Sequence, residues 1–418
     1  MNANILVYED SLVDQLYPIT TGRAAFEITC ASFRLIDWLR LLPGDLTARI
    51  RPHLRTLQLQ NAPDLSRSLD TANETTLVIN ARIVPSHSNY EKLKAFAACP
   101  DSKSISAGGR IVAAKVSTAS IQDFAATDLT ELLETSVDRN GGSPNGDRSD
   151  EVSLFEYPHD VIRFNQKSFE ENLAFRLRDS KFREIRDDVF AHESAKIDPS
   201  VVSKSGSGPI LIDENASIGP FSFLEGPAYI GPNARVIEHS AIKDAVSIAH
   251  TTKIGGEVEA SVIEAYTNKQ HHGFMGHSYL GSWINLGAGT CNSDLKNTYG
   301  DVKMEYRGAK VSSGMQFVGC IMGDYAKSAI NTGIFTGKII GTCSMVYGFV
   351  TTTVPSFVNY ARLFGQITEL PPSVMAATQQ RMFRRRNVQQ RPSDIQLLHD
   401  MYELTRHERQ LAEEPLVF

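Results

Sequence analysis

The stretch that decides the fold runs from residue 211 to residue 256 and reads LIDENASIGPFSFLEGPAYIGPNARVIEHSAIKDAVSIAHTTKIGG. Eight aliphatic residues recur in it at every sixth position. An α-helix repeats its faces every 3.6 residues or so and a β-strand about every 2, so neither produces this period. A six-residue period is typical of a solenoid of short parallel strands, in which the aliphatic side chains point inward and small residues turn the corners. The eight residues are Ile212, Ile218, Leu224, Ile230, Val236, Ile242, Ile248 and Ile254.

The same period returns further along the chain. After a two-residue shift it resumes as Val262, Asn268, Phe274, Leu280 and Leu286. It appears a third time as Met322, Ser328, Ile334, Ile340 and Val346. We therefore predict a parallel β-helix over residues 193–368, from which the aperiodic segment 297–316 bulges as a loop.

The N-terminal part has a different pattern. Strand-like segments alternate with helical spacing, which predicts a small α/β unit with a mostly parallel sheet. The predicted strands are 4–8, 76–80 and 109–116, and the predicted helices are 24–41 and 89–97. Residues 138–151 are rich in Gly, Ser, Asn and Asp, which predicts a disordered loop or linker. Residues 157–180 and the tail at 372–412 have helical spacing.

We divide the chain accordingly into an α/β domain at 1–155, a helical linker at 156–192, the β-helix domain at 193–368 and a helical tail at 369–418. A length of 418 residues suits two or three domains. The tail contains a run of arginines, which we interpret as a solvated helix or a subunit-packing arm.

Composition excludes several classes of protein. The net charge of −6 argues against a strongly basic nucleic-acid binder. The first ten residues do not form a signal peptide, and the apolar stretch 339–350 is too short to cross a bilayer. The five cysteines form no CxxC pair, which argues against a disulfide framework or a zinc site. We expect a cytoplasmic protein with neither a nucleic-acid nor a membrane partner.

Two motifs in the β-helix are more specific than the period. They are HHGFMG at 271–276 and NLGAGTCN at 285–292. Their spacing resembles the acetyltransferase half of the bifunctional N-acetylglucosamine-1-phosphate uridyltransferase/glucosamine-1-phosphate N-acetyltransferase family. IMGD at 321–324 matches a later stretch of that family.

The chain is more similar still to a branch of sugar nucleotidyltransferases with a shortened N-terminal domain. GPI at 208–210 and GGEV at 255–258 recur in that branch, as do the openings YED at 8–10 and LYPIT at 16–20. The resemblance is strong over about 195–350 and weak over 1–150. It implies that the β-helix is left-handed, that it forms a homotrimer with active sites between neighbouring subunits, and that acetyl-CoA donates to an amino-sugar 1-phosphate like glucosamine 1-phosphate.

The resemblance places His271 at the catalytic histidine. Transfer of an acetyl group to an amine needs a base near neutral pKa, and imidazole suits that role. His272 is the competing candidate if the chain slips by one residue. Phe274 stands where the better-known enzymes have a substrate-binding tyrosine, so a hydroxyl is missing there.

The acceptor phosphate needs cations. Arg235 and Lys253 are eighteen residues apart, which is one three-sided coil of a period-six helix, so the two could stack. Each of the candidate cations could instead be a solvated side chain on the solenoid. The predicted substrate-binding residues are Arg235, Lys253, Asn268, Lys269, Asn285, Asn292 and Lys296, and the residues predicted to bind acetyl-CoA are Ala288 and Asn331.

The N-terminal domain departs from nucleotidyltransferases. These enzymes carry a Gly-rich loop with an arginine and then a lysine, which neutralise the triphosphate. Here the first lysine is Lys92, and the weak candidates for nucleotide binding are Asp10, Arg23 and Arg82. We predict that nucleotidyl transfer is weak or absent. Mg²⁺ would be required only if this domain is active, and we predict no other metal.

The leading hypothesis is thus an acetyl-CoA-dependent N-acetyltransferase with a degenerate or altered nucleotidyltransferase domain. One alternative is a bifunctional enzyme that also makes a UDP-sugar. A second is a non-catalytic trimeric scaffold. A scaffold needs only the aliphatic ladder, so His271 and the polar residues of 285–292 argue against it.

Overall fold

The computed structural model describes residues 4–122, 129, 133, 152–306 and 308–410. The linker predicted at 138–151 lies outside the described residues. The chain divides into two compact units. One comprises Met1–Leu16, Arg23–Ile28 and Phe33–Glu156, and the other comprises Tyr17–Gly22, Thr29–Ser32 and Tyr157–Phe418. The domain boundaries given above stay predictions.

The N-terminal unit is an α/β sandwich around one sheet. Its strands are β1 (Asn4–Tyr8), β2 (Asp45–Arg49), β3 (Thr75–Asn80), β4 (Ser104–Ala107) and β5 (Arg110–Ser117), in the order β2-β1-β3-β5-β4. Its helices are α1 (Leu35–Leu39), α2 (Arg55–Asn61), α3 (His87–Ala98) and α4 (Thr118–Ile121).

The sheet is more mixed than the sequence pattern predicts. β1 pairs in parallel with β2 and β3, whereas β5 runs antiparallel to both β3 and β4. The reason is a tight hairpin between β4 and β5. Its turn residues Gly108 and Gly109 have φ of 56° and 77°, a conformation that favours glycine and matches the twist of the hairpin strands.

The helix predicted at 24–41 is wrong over most of its length. A 3₁₀ turn at Ala25–Glu27 and the short α1 take its place. Between them Ala31 and Ser32 have positive φ, which interrupts any continuous helix.

The second unit begins with α5 (Asp160–Arg176) and continues into short strands that wind as a parallel β-helix. Its first strands are β6 (Phe182–Arg186), β7 (Val189–His192), β8 (Lys196–Ile197), β9 (Val202–Lys204), β10 (Ile210–Ile212), β11 (Ser217–Ile218), β12 (Phe223–Glu225), β13 (Ala228–Ile230), β14 (Arg235–Val236), β15 (Ala241–Lys243), β16 (Val246–Ile248), β17 (Lys253–Ile254), β18 (Glu257–Glu259), β19 (Val262–Ile263), β20 (Asn268–Lys269), β21 (Phe274–Gly276), β22 (Tyr279–Leu280), β23 (Asn285–Leu286) and β24 (Cys291–Asn292).

The remaining strands complete the β-helix. They are β25 (Lys303–Tyr306), β26 (Ala309–Ser312), β27 (Cys320–Met322), β28 (Lys327–Ser328), β29 (Gly333–Ile334), β30 (Lys338–Ile340), β31 (Met345–Val346), β32 (Phe349–Val350), β33 (Val358–Ala361) and β34 (Gln366–Glu369). β25 and β26 form an antiparallel hairpin inside the predicted bulge at 297–316.

The strands stack into faces. The first face runs β6-β7-β10-β13-β16-β19-β22-β27-β30, and the second runs β8-β11-β14-β17-β20-β23-β28-β31-β33-β34. The third face runs β9-β12-β15-β18-β21, with β24-β29-β32 following it. The fold class is confirmed: an N-terminal α/β unit precedes a left-handed parallel β-helix with a helical tail.

The predicted ladder from Ile212 to Ile254 forms the core of the β-helix, where each side chain is buried. The prediction is wrong at 262, 268 and 274. Ile263, Lys269 and Met275 point inward instead, in line with Ile254 and its neighbours. The shift arises because two successive corners are short: Val258 follows Ile254 after four residues, and Ile263 follows Val258 after five, rather than six.

The tail contains α6 (Pro372–Arg384), α7 (Pro392–Leu404) and α8 (Arg406–Gln410). α6 and α7 pack against one another. Across the described ranges, we find no helix with the length and apolar character that spanning a bilayer requires.

A charged substitution in the ladder tests the inward phase. Ile230 is fully buried between Ile212 and Ile248, which flank it on the first face. We predict that Ile230→Asp lowers the thermal unfolding temperature strongly, because a buried unpaired carboxylate costs several kcal/mol. Asn233→Asp at an exposed corner is the matched control and should change little. Equal unfolding temperatures for the two variants would show that the inward phase is misassigned.

Candidate functional site

The second face carries a column of polar and basic side chains. Strand register places Arg235 beside Lys253, Lys253 beside Asn268, and Asn268 beside Asn285. Their strand neighbours Val236, Ile254, Lys269 and Leu286 are buried, and successive strand residues face opposite ways, so the four column residues point outward. Adjacent strands lie about 4.8 Å apart. We call Arg235, Lys253, Asn268 and Asn285 the polar column.

The end of α6 adds positive charge to the polar column. The Arg386 guanidinium donates a hydrogen bond to Oδ1 of Asn268. Partial burial lowers the pKa of Lys253, and the charges of Arg386, Arg235 and Arg385 lower it further. Within the described residues, none of these four cations forms an ion pair with a carboxylate. Such an uncompensated cluster favours binding of an anion.

The sequence analysis did not assign Arg385 and Arg386 to the site. Arg386 lies 118 residues after Asn268 in the sequence. Only the tertiary fold brings it and Arg385 to the polar column. The arginine-rich run in the tail was the available signal. Lys327 extends the column beside Asn285 and was also missed. Its ammonium donates to the carbonyl of Tyr325, and burial lowers its pKa to about 8.

The predicted catalytic histidines lie on the corner between β20 and β21. His271 and His272 are both exposed there. The main chain of this corner stacks on the next coils: Gly289 N–H donates to the His272 carbonyl at 3.0 Å, and Asn331 N–H donates to the Ala288 carbonyl at 2.7 Å. His271 and the two residues predicted to bind acetyl-CoA, Ala288 and Asn331, thus lie on equivalent corners of three successive coils. Because β20 ends here, the corner adjoins the polar column.

Lys269 and Asn292 point inward, because both occupy ladder positions. The Lys269 side chain is 2% exposed, and its ammonium is bonded to main-chain carbonyls. Asn292 accepts from Gly276 N–H at 2.8 Å and donates to the Gly276 carbonyl at 3.0 Å. Neither side chain joins the outward polar column, contrary to the arrangement expected for a direct contact with substrate.

A neighbouring corner holds a histidine that the sequence analysis overlooked. His277 Nδ1 lies 2.9 Å from Asp294 Oδ2, and its ring stacks on Phe317. Burial raises the pKa of the nearby Glu259 carboxyl. No motif marks this pair in the sequence. Lys296 follows Asp294 by two residues and lies immediately before the bulge at 297–316. It is not part of the polar column.

In the N-terminal unit, the candidate residues neutralise one another. Both oxygens of Asp10 accept from the Arg82 guanidinium, at 2.8 and 2.7 Å, and Asn80 donates to one of them at 2.8 Å. Asp10 and Arg82 are both buried. The Arg23 carbonyl accepts from Arg51. An aspartate engaged in this way does not fit a Mg²⁺ ligand, since its lone pairs are already directed at donors.

Comparisons with known proteins give a family match and curated relatives. Residues 5–181 match the family described as sugar nucleotidyl transferase. A bifunctional sugar-1-phosphate nucleotidylyltransferase/acetyltransferase from Sulfurisphaera tokodaii is 30% identical over 161 residues, or 38% of this chain and 39% of the relative. The bifunctional protein GlmU of Acidithiobacillus ferrooxidans is 30% identical over 144 residues, or 30% of this chain and 31% of the relative.

Solved structures are similar to part of the chain. The UDP-N-acetylglucosamine acyltransferase of Francisella novicida is 17% identical with a TM-score of 0.25, and covers 56% of this chain and 81% of its own. The acyltransferase of the same name from Campylobacter jejuni is 14% identical with a TM-score of 0.25, and covers 54% of this chain and 85% of its own.

The chain spans about two fifths or less of the length of these curated relatives. The name of the Sulfurisphaera tokodaii relative joins nucleotidylyl transfer to acetyl transfer. The predicted resemblance to the bifunctional, GlmU-like nucleotidyltransferase/acetyltransferase family is therefore confirmed, at modest identity.

Proposed function

We propose that the β-helix transfers an acetyl group from acetyl-CoA to the amino group of an amino-sugar 1-phosphate such as glucosamine 1-phosphate. The observation that carries the proposal is the set of uncompensated cations on the polar column, directly beside the corner that presents His271. The Sulfurisphaera tokodaii relative, which is named as a nucleotidylyltransferase/acetyltransferase, supports it. The proposal includes a homotrimer with sites between neighbouring subunits, as the resemblance implies.

The cations suit a phosphate. A phosphate monoester carries up to two negative charges and accepts several hydrogen bonds, which guanidinium and ammonium groups donate well. Arg235, Lys253 and Arg386 would bind it on the open second face. Asn268 and Asn285 lie at the next positions of the column and offer amide groups to sugar hydroxyls. Their own contact is a weak one, since Asn268 Nδ2 lies 3.4 Å from Asn285 Oδ1.

His271 is the proposed base. The amine nitrogen attacks the thioester carbonyl carbon, and the C–N bond forms as the C–S bond breaks. The nitrogen loses a proton to the imidazole, and the CoA thiolate leaves and takes up a proton. Ala288 and Asn331 lie on the equivalent corners of the next two coils, so an acyl donor lying along these stacked corners would place its thioester next to His271.

The competing hypotheses explain less of the structure. A scaffold gives no reason for unpaired cations beside an exposed histidine. A fully bifunctional enzyme needs a metal-binding and triphosphate-binding N-terminal unit, but Asp10 and Arg82 are buried against each other. We therefore propose that the N-terminal domain is degenerate or altered as a nucleotidyltransferase.

The role of His271 is tested by alanine substitution. We predict that His271→Ala lowers kcat for acetyl transfer by about 10²–10⁴-fold, the usual contribution of a positioned base. His272→Ala should have a much smaller effect and is the matched control. Both variants should fold, because the two side chains are exposed. The measurement follows thiol release from acetyl-CoA with glucosamine 1-phosphate.

Other outcomes reassign the base. An inactive His272→Ala variant with an active His271→Ala variant would mean that the family alignment is displaced by one residue. If His277→Asn is the inactive variant, the base is the histidine paired with Asp294. Absence of thiol release by the wild type with every amino-sugar phosphate would reject the acetyltransferase proposal.

The contribution of the tail is tested on the Michaelis constant. We predict that Arg386→Ala raises KM for glucosamine 1-phosphate about tenfold or more, since a hydrogen bond to a charged group contributes about 1.5–3 kcal/mol. KM for acetyl-CoA should stay within about twofold, because the Arg386 guanidinium is proposed to bind the acceptor and not the donor. Arg384→Ala removes an exposed arginine two residues away and serves as the control. Equal KM values for the two variants would show that Arg386, which follows α6, is not part of the site.

The N-terminal unit is tested separately. We predict no pyrophosphate release above background when UTP or another nucleoside triphosphate is supplied with a sugar 1-phosphate and Mg²⁺. The reason is that the buried Asp10–Arg82 pair must break before either group could meet a metal or a phosphate. Release at an ordinary enzymatic rate that Arg82→Ala abolishes would show instead that this pair opens during turnover.

A further inference from the structure

Lys269 places a charged group where the β-helix otherwise buries aliphatic side chains. Strand register aligns it with Ile254 on one side, and its strand lies next to β23, which carries Leu286. A buried ammonium costs free energy unless it is fully hydrogen-bonded. A lysine at this ladder position therefore needs a complete set of acceptors, and those acceptors show what it does.

The Lys269 ammonium is fully hydrogen-bonded by main-chain carbonyls. It donates to Gly255 at 2.6 Å, to Gly273 at 2.6 Å and to His271 at 3.1 Å. An ammonium has three donors, so all of them are used. Two of the carbonyls belong to the corner that carries the histidines, and Gly255 belongs to the coil before it. The lysine thus ties the histidine corner to the preceding coil from inside.

The backbone of the preceding coil is shaped around this ammonium. Gly256 has φ of 71°, and a Cβ at this position would lie 2.9 Å from Nζ of Lys269 and 2.8 Å from the Gly273 carbonyl oxygen. A side chain at 256 would therefore displace the lysine or the corner. The space that the missing side chain of Gly256 leaves is thus occupied by the Lys269 ammonium. This observation is independent of the hydrogen bonds.

We propose that Lys269 is a positioning residue: it holds the 270–273 corner so that His271 stays beside the polar column, and it does not touch the substrate. This inference rests on the proposed function, because His271 is the proposed base. It replaces the direct substrate contact expected for Lys269 from the sequence.

The charge of Lys269 links the corner to pH. Burial lowers its pKa to about 8, and the charges of Cys291 and Glu257 oppose that shift. His271 and His272 are the other titratable groups on the corner. Above this pKa, the neutral amine keeps only two donors for three carbonyls, so the corner should loosen. In the unfolded chain the pKa of a lysine is about 10.4. The free-energy cost of burying the charge of Lys269 therefore disappears as the pH rises from about 8 to about 10.4. Activity should therefore fall as the pH rises above the pKa of Lys269. Over the same pH range, the free-energy cost of burying this lysine in the folded protein decreases.

The test is Lys269→Met, which fills the ladder position without the ammonium. We expect kcat to fall about 10–100-fold, the effect of a misplaced catalytic group, with KM for glucosamine 1-phosphate within about twofold. The thermal unfolding temperature should be equal or higher. The amides of Glu257 and Gly289, which donate to Gly273 and His272, should exchange hydrogen faster. Lys204→Met on the exposed end of β9 is the matched control.

Each result decides the inference. An unchanged kcat, or a change in KM alone, overturns it. If the wild type acetylates no amino-sugar phosphate, the proposed function fails, and the hydrogen-exchange measurement alone tests the role of Lys269. Unchanged exchange at the amides of Glu257 and Gly289 in Lys269→Met would then overturn the positioning role of Lys269. If Lys269→Met does not fold, wild-type protection factors for the same two amides are measured from about pH 7 to about pH 9.5, a range that spans the lowered pKa. They should fall as the pH passes the pKa of Lys269, and constant protection overturns the inference.

Discussion

The stacking of inward side chains is the constraint on which the rest of the β-helix depends. Each coil must place one side chain per face in line with the coil before it, as Ile248, Ile263 and Leu280 are aligned on the first face. The strands of successive coils then lie about 4.8 Å apart in fixed register. Outward residues inherit that register, so Arg235 and Lys253 become neighbours although a full coil separates them in sequence. The proposed anion site on the second face is therefore a consequence of the stacking in the core.

The sequence carries this constraint where each coil has its full length, and there the prediction succeeds. From Ile212 to Ile254 the inward phase follows directly from the period. It fails after Gly255 and Gly256, because glycines allow a corner shorter than the repeat and periodicity does not reveal which corner is short. The two short corners that follow, from Ile254 to Val258 and from Val258 to Ile263, together turn Lys269 inward and Phe274 outward. They also explain why a substrate contact was expected of Lys269.

The candidate site was predictable where it follows local motifs and not where it depends on distant parts of the chain. His271, Ala288 and Asn331 lie on equivalent corners because consecutive coils stack there. Arg386 reaches the same site only through the packing of the tail, which no spacing encodes. The mutual neutralisation of Asp10 and Arg82 likewise depends on the N-terminal sheet, where β1 and β3 run side by side. Lys269 and Asn292 are polar ladder residues near the candidate site, and the side chains of both are hydrogen-bonded to the main chain.

In the proposed function, the polar column and the adjoining histidine corner form one site for an amino-sugar phosphate. The most direct test is the hydrogen-exchange footprint of glucosamine 1-phosphate on the full chain, with unphosphorylated glucosamine as the control ligand. We predict protection on β14, β17 and β20 and at residues 270–273 with the phosphorylated sugar alone. Protection confined to the N-terminal unit around Asp10 and Arg82, or equal footprints for the two sugars, would contradict it.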